Sequence, residues 1–163
     1  MAKFTQKYSL ISMLEPVNEG LEFFWKDYPL HVTLASVFYV DWNNQLLMNQ
    51  LNEILSKQKP IRLTATREEH WGENKEYHMV LLEKSSAIMD LHRSIVTVLL
   101  NAGAVFNEPQ YTGDGFVPHA TIQKHTRLNV GDSVTISDLT ILDMFPGGDG
   151  YRRKLLQSFV FGG

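Results

Sequence analysis

Residues 29–38 read PLHVTLASVF, and later in the chain residues 117–125 read VPHATIQKH. Each stretch contains His-x-Thr followed by an aliphatic residue, first at His31 and Thr33, then at His119 and Thr121. With the chain's content of histidine and threonine, composition alone predicts roughly 0.4 His-x-Thr events. Two events, both within β-branched runs and both followed by Leu or Ile, make the pair informative where either copy alone is weak.

The spacing has a geometric meaning if both stretches are strands. Alternate strand residues share a face, so His31 and Thr33 point one way while Val32 and Leu34 point toward packing. Likewise His119 and Thr121 share a face, with Ala120 and Ile122 behind. Each strand then presents an imidazole and a hydroxyl roughly 6–7 Å apart at Cα.

Outward from these motifs, KYSLISM reads as an opening strand stopped before Pro16, and NEGLEFFWKD (18–27) as a short helix with Asn18 as N-cap. Residues 41–58 place Leu47, Leu51, Ile54 and Leu55 on one helical face and end before Pro60. IRLTATR (61–67) and EYHMVLLEK (76–84) read as strands separated by the polar EEHWGENK. Residues 85–103 form the clearest helix, with Ile88, Leu91, Ile95, Val98, Leu99 and Ala102 at helical spacing and Gly103 as a stop. Strands are expected over 116–125, 132–145 and 155–161, the last two separated by the loop PGGDGYRR. The pattern is α+β, with one long helix and one His-x-Thr strand in each half.

Composition narrows the function. The chain has 163 residues, 44% hydrophobic and 20% charged, as expected of one globular domain. A net charge of −3 argues against a basic surface gripping long duplex nucleic acid, while leaving room for a nucleotide or RNA end. The absence of cysteine excludes thiol catalysis, a cysteine zinc site and disulfides. MAKFTQKYSLISML lacks a signal-peptide core, and SLISML is too short to span a membrane, so a cytoplasmic protein without a membrane partner is expected.

Two such strands side by side would bracket a small anion. Threonine hydroxyls donate to non-bridging oxygens, one neutral histidine takes a proton, and one protonated histidine gives one to the leaving oxygen. Phosphodiester cleavage by that division of labour needs neither metal nor cofactor. A metal site would want a third ligand, His125 or Asp114, and threonine is a poor zinc ligand.

The two H-x-T-hydrophobic motifs, the proline before His119 and the late GDGYRRKLLQSFVF make the chain resemble the two-histidine (2H) phosphoesterases, including the 2′-5′ RNA ligases that act as RNA 2′,3′-cyclic phosphodiesterases. The resemblance implies a single bilobal domain over 1–163, with two mainly antiparallel sheets forming a central cleft and helices packed outside. It implies catalytic His31 and His119, phosphate-binding Thr33 and Thr121, and hydrolysis of a 2′,3′-cyclic or related cyclic or 2′-5′ phosphodiester by a monomer. Because the family often leaves a 2′-phosphate, it also implies His119 as base and His31 as acid. Gln123 follows the second motif where many ligase-like members carry a basic residue, with Lys124 and Arg127 displaced, so hydrolysis rather than ligation is expected. A binding module without turnover and a metal-dependent hydrolase are the alternatives.

Other candidates are weaker. Phe38, Tyr39, Trp71, Tyr111 and Phe116 are aromatic candidates for stacking on a base, with Tyr111 and Phe116 favoured because they precede the second motif. Lys124 and Arg152 are candidate substrate contacts. His92 reads as a packed helix-edge histidine, His70 as solvated and His125 as a rim residue. PGGDGYRRK lacks phosphate-loop spacing and reads as a hairpin loop.

Overall fold

The computed structural model describes residues 6–41 and 45–163. Its strands are β1 (Lys7–Met13), β2 (Glu22–Phe24), β3 (His31–Tyr39), β4 (Ile61–Trp71), β5 (Tyr77–Leu82), β6 (Val105–Phe106), β7 (His119–Thr121), β8 (Ser133–Ile136), β9 (Asp138–Asp143) and β10 (Arg152–Val160). The helices are α1 (Gln45–Lys57) and α2 (Ser86–Asn101). The strands form two antiparallel sheets, β2-β10-β9-β1-β3-β6 and β7-β5-β4-β8.

The helices form where the apolar spacing demands them. In α2, Ile88, Leu91, Ile95 and Leu99 are all buried, and Ser85 caps the helix by accepting from the Ile88 amide at 3.4 Å. Burying each such side chain contributes about 1.5–3 kcal/mol relative to exposure. Gly103, at φ 88, turns the chain out of the helix in a conformation a side chain would resist. In α1, Leu47, Leu51 and Leu55 are buried against the main core. The part of this helix expected over 42–44 lies outside the described residues.

Several expectations needed correction. Residues 18–27 are not a helix: Asn18 opens a turn, Gly20 sits at φ 83, and 22–24 pair as β2 with β10. The apolar residues there stand at 21, 23, 24 and 25, which suits a strand that buries only Phe23. EEHW belongs to β4, where Glu68, Glu69, His70 and Trp71 pair with Val80, Met79, His78 and Tyr77. Polarity marked that stretch as a turn, but an exposed hairpin tolerates charge on both faces. The run 132–145 breaks at Ser137 because β8 joins the four-stranded sheet and β9 the six-stranded one. The second motif's strand is only three residues long, and the last strand begins at Arg152 rather than Leu155.

The main core lies between the helices and the sheets. A second cluster, Ile11, Phe23, Leu142 and Leu155 with Met13, Val17, Tyr28 and Met144 against it, lies at the base of His31. In the β1–β3 pairing Ile11 faces Thr33 while Leu10 faces Ala35, so Leu34 is an extra residue in β3. That bulge buries Leu34 and Ala35 in succession and returns Ser36 to the face of His31 and Thr33. No helix among the described residues is long and apolar enough to cross a membrane.

Candidate active site

The cleft of about 910 Å³ contains His31, Thr33, His119 and Thr121 together, a volume within the usual range of small-molecule sites. His31 and Thr33 reach it from β3, with Val32 and Leu34 fully buried behind. His119 and Thr121 reach it from β7, with Ala120 buried behind.

The two histidines are held alike. His31 Nδ1 donates to the Pro29 carbonyl at 2.8 Å, and His119 Nδ1 donates to the Val117 carbonyl at 2.8 Å. A carbonyl only accepts, so each neutral ring carries its proton on Nδ1 and keeps the Nε2 lone pair for chemistry. Burial pushes both imidazoles below their ordinary value, against the opposing pull of those carbonyls. His31 is lowered further by the positive charge of His119, partly offset by Glu15. Neither threonine hydroxyl has a hydrogen-bond partner among the described residues.

An aromatic ring braces each imidazole. The Tyr28 ring lies 4.7 Å from His31 at 33°, and its hydroxyl accepts from Arg153 Nε at 3.1 Å. Trp71 meets His119 edge-on at 4.9 Å and donates from Nε1 to Glu69 at 2.7 Å. Arg67 Nε donates to the other oxygen of Glu69 at 3.0 Å. Sequence reasoning missed Tyr28, which stands in the connection between β2 and β3 where periodicity gives no signal, and Glu69, whose strand reads as a polar turn.

The remaining candidates separate. Tyr111 and Phe116 line the cleft; Lys124 and Arg152 are exposed and lie outside its lining. Phe38 is a core residue, and Tyr39 and His125 are not in the lining. His78 lines the cleft and donates from Nε2 to the Glu68 carboxylate at 2.9 Å, with exposed His70 stacked on it at 4.1 Å. His92 is buried: its Nδ1 donates to the Leu34 carbonyl at 2.7 Å and its Nε2 accepts from the Gly113 amide at 3.0 Å. Phe116 stacks on it at 3.9 Å. His92 thereby ties β3 to the loop that precedes β7.

Among the described residues no group of three His, Asp or Glu side chains is arranged to hold a metal ion. A second groove, about 540 Å³ between α1 and β10, is lined by Gln45, Asn49, Asn52 and Gln157 with their neighbours and holds no titratable side chain.

Paired His-x-Thr strands facing one cleft between two antiparallel sheets define a two-histidine phosphoesterase architecture. The sequence pattern of the 2′-5′ RNA ligase superfamily matches residues 25–135, which include both motifs, and the chain belongs to that superfamily. Membership supports a phosphoesterase-type function. Solved structures share the fold at low identity. A phosphoesterase is similar at TM-score 0.58 and 16% identity, covering 97% of this chain and 99% of that one. E. coli LigT complexed with 3′-AMP is similar at TM-score 0.59 and 14% identity, with the same coverage of 97% and 99%. The protein TT0787 of Thermus thermophilus is similar at TM-score 0.53 and 15% identity, covering 95% and 98%. No curated protein matches the chain at the sequence level.

Proposed function

We propose that residues 1–163 act as one metal-independent phosphodiesterase domain that opens a 2′,3′-cyclic phosphate on a nucleotide or RNA end. The observation carrying this reading is the matched pair: two imidazoles, each fixed through Nδ1 and each beside a free threonine hydroxyl, share one cleft. Thr33 and Thr121 donate to the non-bridging oxygens. One histidine accepts a proton through Nε2 as water oxygen bonds to phosphorus. The other, protonated, gives its proton to the ribose oxygen as the bond from that oxygen to phosphorus breaks. Burial supports the neutral form needed of the base. The opposite burial effect on the acid is offset as the phosphate's negative charge enters the cleft. That E. coli LigT binds 3′-AMP in one crystal and ATP in another supports a nucleotide as ligand here.

The test is hydrolysis of 2′,3′-cyclic mononucleotides and a cyclic-phosphate-ended RNA with EDTA present. Turnover is expected to survive chelator and to fall by about 10²–10⁴-fold in either His31→Ala or His119→Ala. Loss with EDTA, or ligand binding without turnover in wild type, would overturn the reading. An aryl phosphodiester, whose leaving group needs no proton, separates the roles: the acid variant regains rate on it and the base variant does not.

A further inference from the structure

The cleft continues along β3 beyond the histidines, and its far end has a chemistry of its own. The bulge at Leu34 turns Ser36 onto the cleft face. Strand β6 pairs there with Phe106 opposite Phe38, and the Asn107 amide donates to the Val37 carbonyl at 2.9 Å. Continuing that register by one residue sets Glu108 across from Ser36, and both line the cleft. One turn on, the Tyr111 amide bonds the Glu108 carbonyl at 3.1 Å, which brings a ring that is 44% exposed to the same end.

These groups are unengaged. The Ser36 hydroxyl oxygen is buried without a hydrogen-bond partner. Among the described residues the Glu108 carboxylate makes no ion pair or hydrogen bond. The loop carrying Tyr111 is clamped to α2 and to the segment leading into it: Lys84 Nζ, before the helix, donates to the Asp114 carbonyl at 2.7 Å, Arg93 donates to the Asp114 carboxylate at 2.7 Å, and the Gly113 amide donates to His92. The loop backbone is therefore held in place before any ligand arrives. Ser36 follows Thr33 on the same cleft face, one bulge further along β3.

We infer that Ser36, Glu108 and Tyr111 form a base-recognition site selective for guanine. The inference rests on the phosphodiesterase reading for where the phosphate sits. A carboxylate offers only acceptors, and guanine alone presents two adjacent donors, N1–H and N2–H, on its Watson–Crick edge. The neighbouring guanine O6 accepts, which suits the Ser36 hydroxyl. Adenine and cytosine would set a ring-nitrogen lone pair against the carboxylate, and uracil offers it a single donor. Tyr111 supplies the ring face on which the base stacks. The preference comes from leaving a polar group unpaired with the wrong base, which discriminates better than shape does.

The experiment compares the four 2′,3′-cyclic mononucleotides on wild type, Glu108→Gln and Tyr111→Ala. Wild type is expected to favour the guanosine substrate over the adenosine one by about 10-fold in kcat/KM, the size of one charge-assisted pair. Glu108→Gln puts an N–H donor opposite adenine N1 and should close or invert that ratio. Tyr111→Ala should lower all four by roughly 5- to 150-fold, since stacking does not distinguish bases. Equal turnover of the four by wild type, or the same loss on all four in Glu108→Gln, would overturn the inference. If wild type turns over none of them, the phosphodiesterase reading fails, and calorimetry with 3′-GMP and 3′-AMP decides the base site. Tighter 3′-GMP binding that Glu108→Gln removes keeps the inference; equal affinity or no binding ends it.

Discussion

Strands β3 and β7 carry the same four-residue motif and do the same local work on very different scaffolds. Each holds its histidine by a 2.8 Å bond to the carbonyl two residues earlier. Yet β3 is nine residues long, lies between β1 and β6, and covers fully buried Val32 and Leu34. β7 has three residues and sits at the edge of the smaller sheet, paired only with β5. Its geometry depends instead on the pinned loop before it, through His92, Lys84 and Arg93. A motif can thus set side-chain chemistry while borrowing its rigidity from elsewhere.

The largest effects should ignore that difference. If both histidines share the proton transfers, kcat/KM falls by about 10²–10⁴-fold in His31→Ala and in His119→Ala alike. A loss of that size in only one of them would break the symmetry. Stability should expose the asymmetry at the motifs' fourth position. Leu34→Ala empties a fully buried site and should cost about 2–5 kcal/mol in urea unfolding. Ile122→Ala, at a half-buried position, should cost clearly less. Equal losses would mean that β7 is as deeply anchored as β3.

His92→Leu tests the borrowed rigidity. It leaves the Leu34 carbonyl and the half-buried Gly113 amide without their partner, at about 1–3 kcal/mol for the buried carbonyl and less for the amide. Activity should fall with it if the loop positions His119. The same variant sharpens a pH dependence. Burial holds His31, His92 and His119 below the ordinary imidazole value, so near pH 6.5 the unfolded chain binds protons that the fold refuses. Unfolding free energy should therefore decline as pH falls below about 7, until the folded-state imidazoles protonate too. His92→Leu should flatten that decline, read by urea unfolding at pH 7.5 and 5.5. The smallest effect needs no mutation: amide exchange at Ala120 and Thr121 should be faster than at Val32 and Leu34.

Much of this was legible because local rules suffice for it. Period 3.6 located α2 and most of α1, and alternation predicted that His31 and Thr33 would share a face. Local rules failed where a partner strand decided the outcome. Residues 22–24 became a strand because β10 offers them an edge, and 132–145 split because its halves join different sheets. Strict alternation would have put Ala35 in the cleft; the bulge put Ser36 there, and Glu108, just past β6, lines the same cleft.

The sequence by itself determined the residues that define the family, because a histidine and a threonine two positions apart on a strand must share a face wherever that strand lies. Only the tertiary structure decided that the two strands share one cleft, which aromatic rings brace the imidazoles, and which polar groups line its far end. Those depend on pairings between residues as distant as Leu34 and His92, or Trp71 and His119. Spacing along the chain carries no record of such contacts; they arise only when both sheets close over a common core.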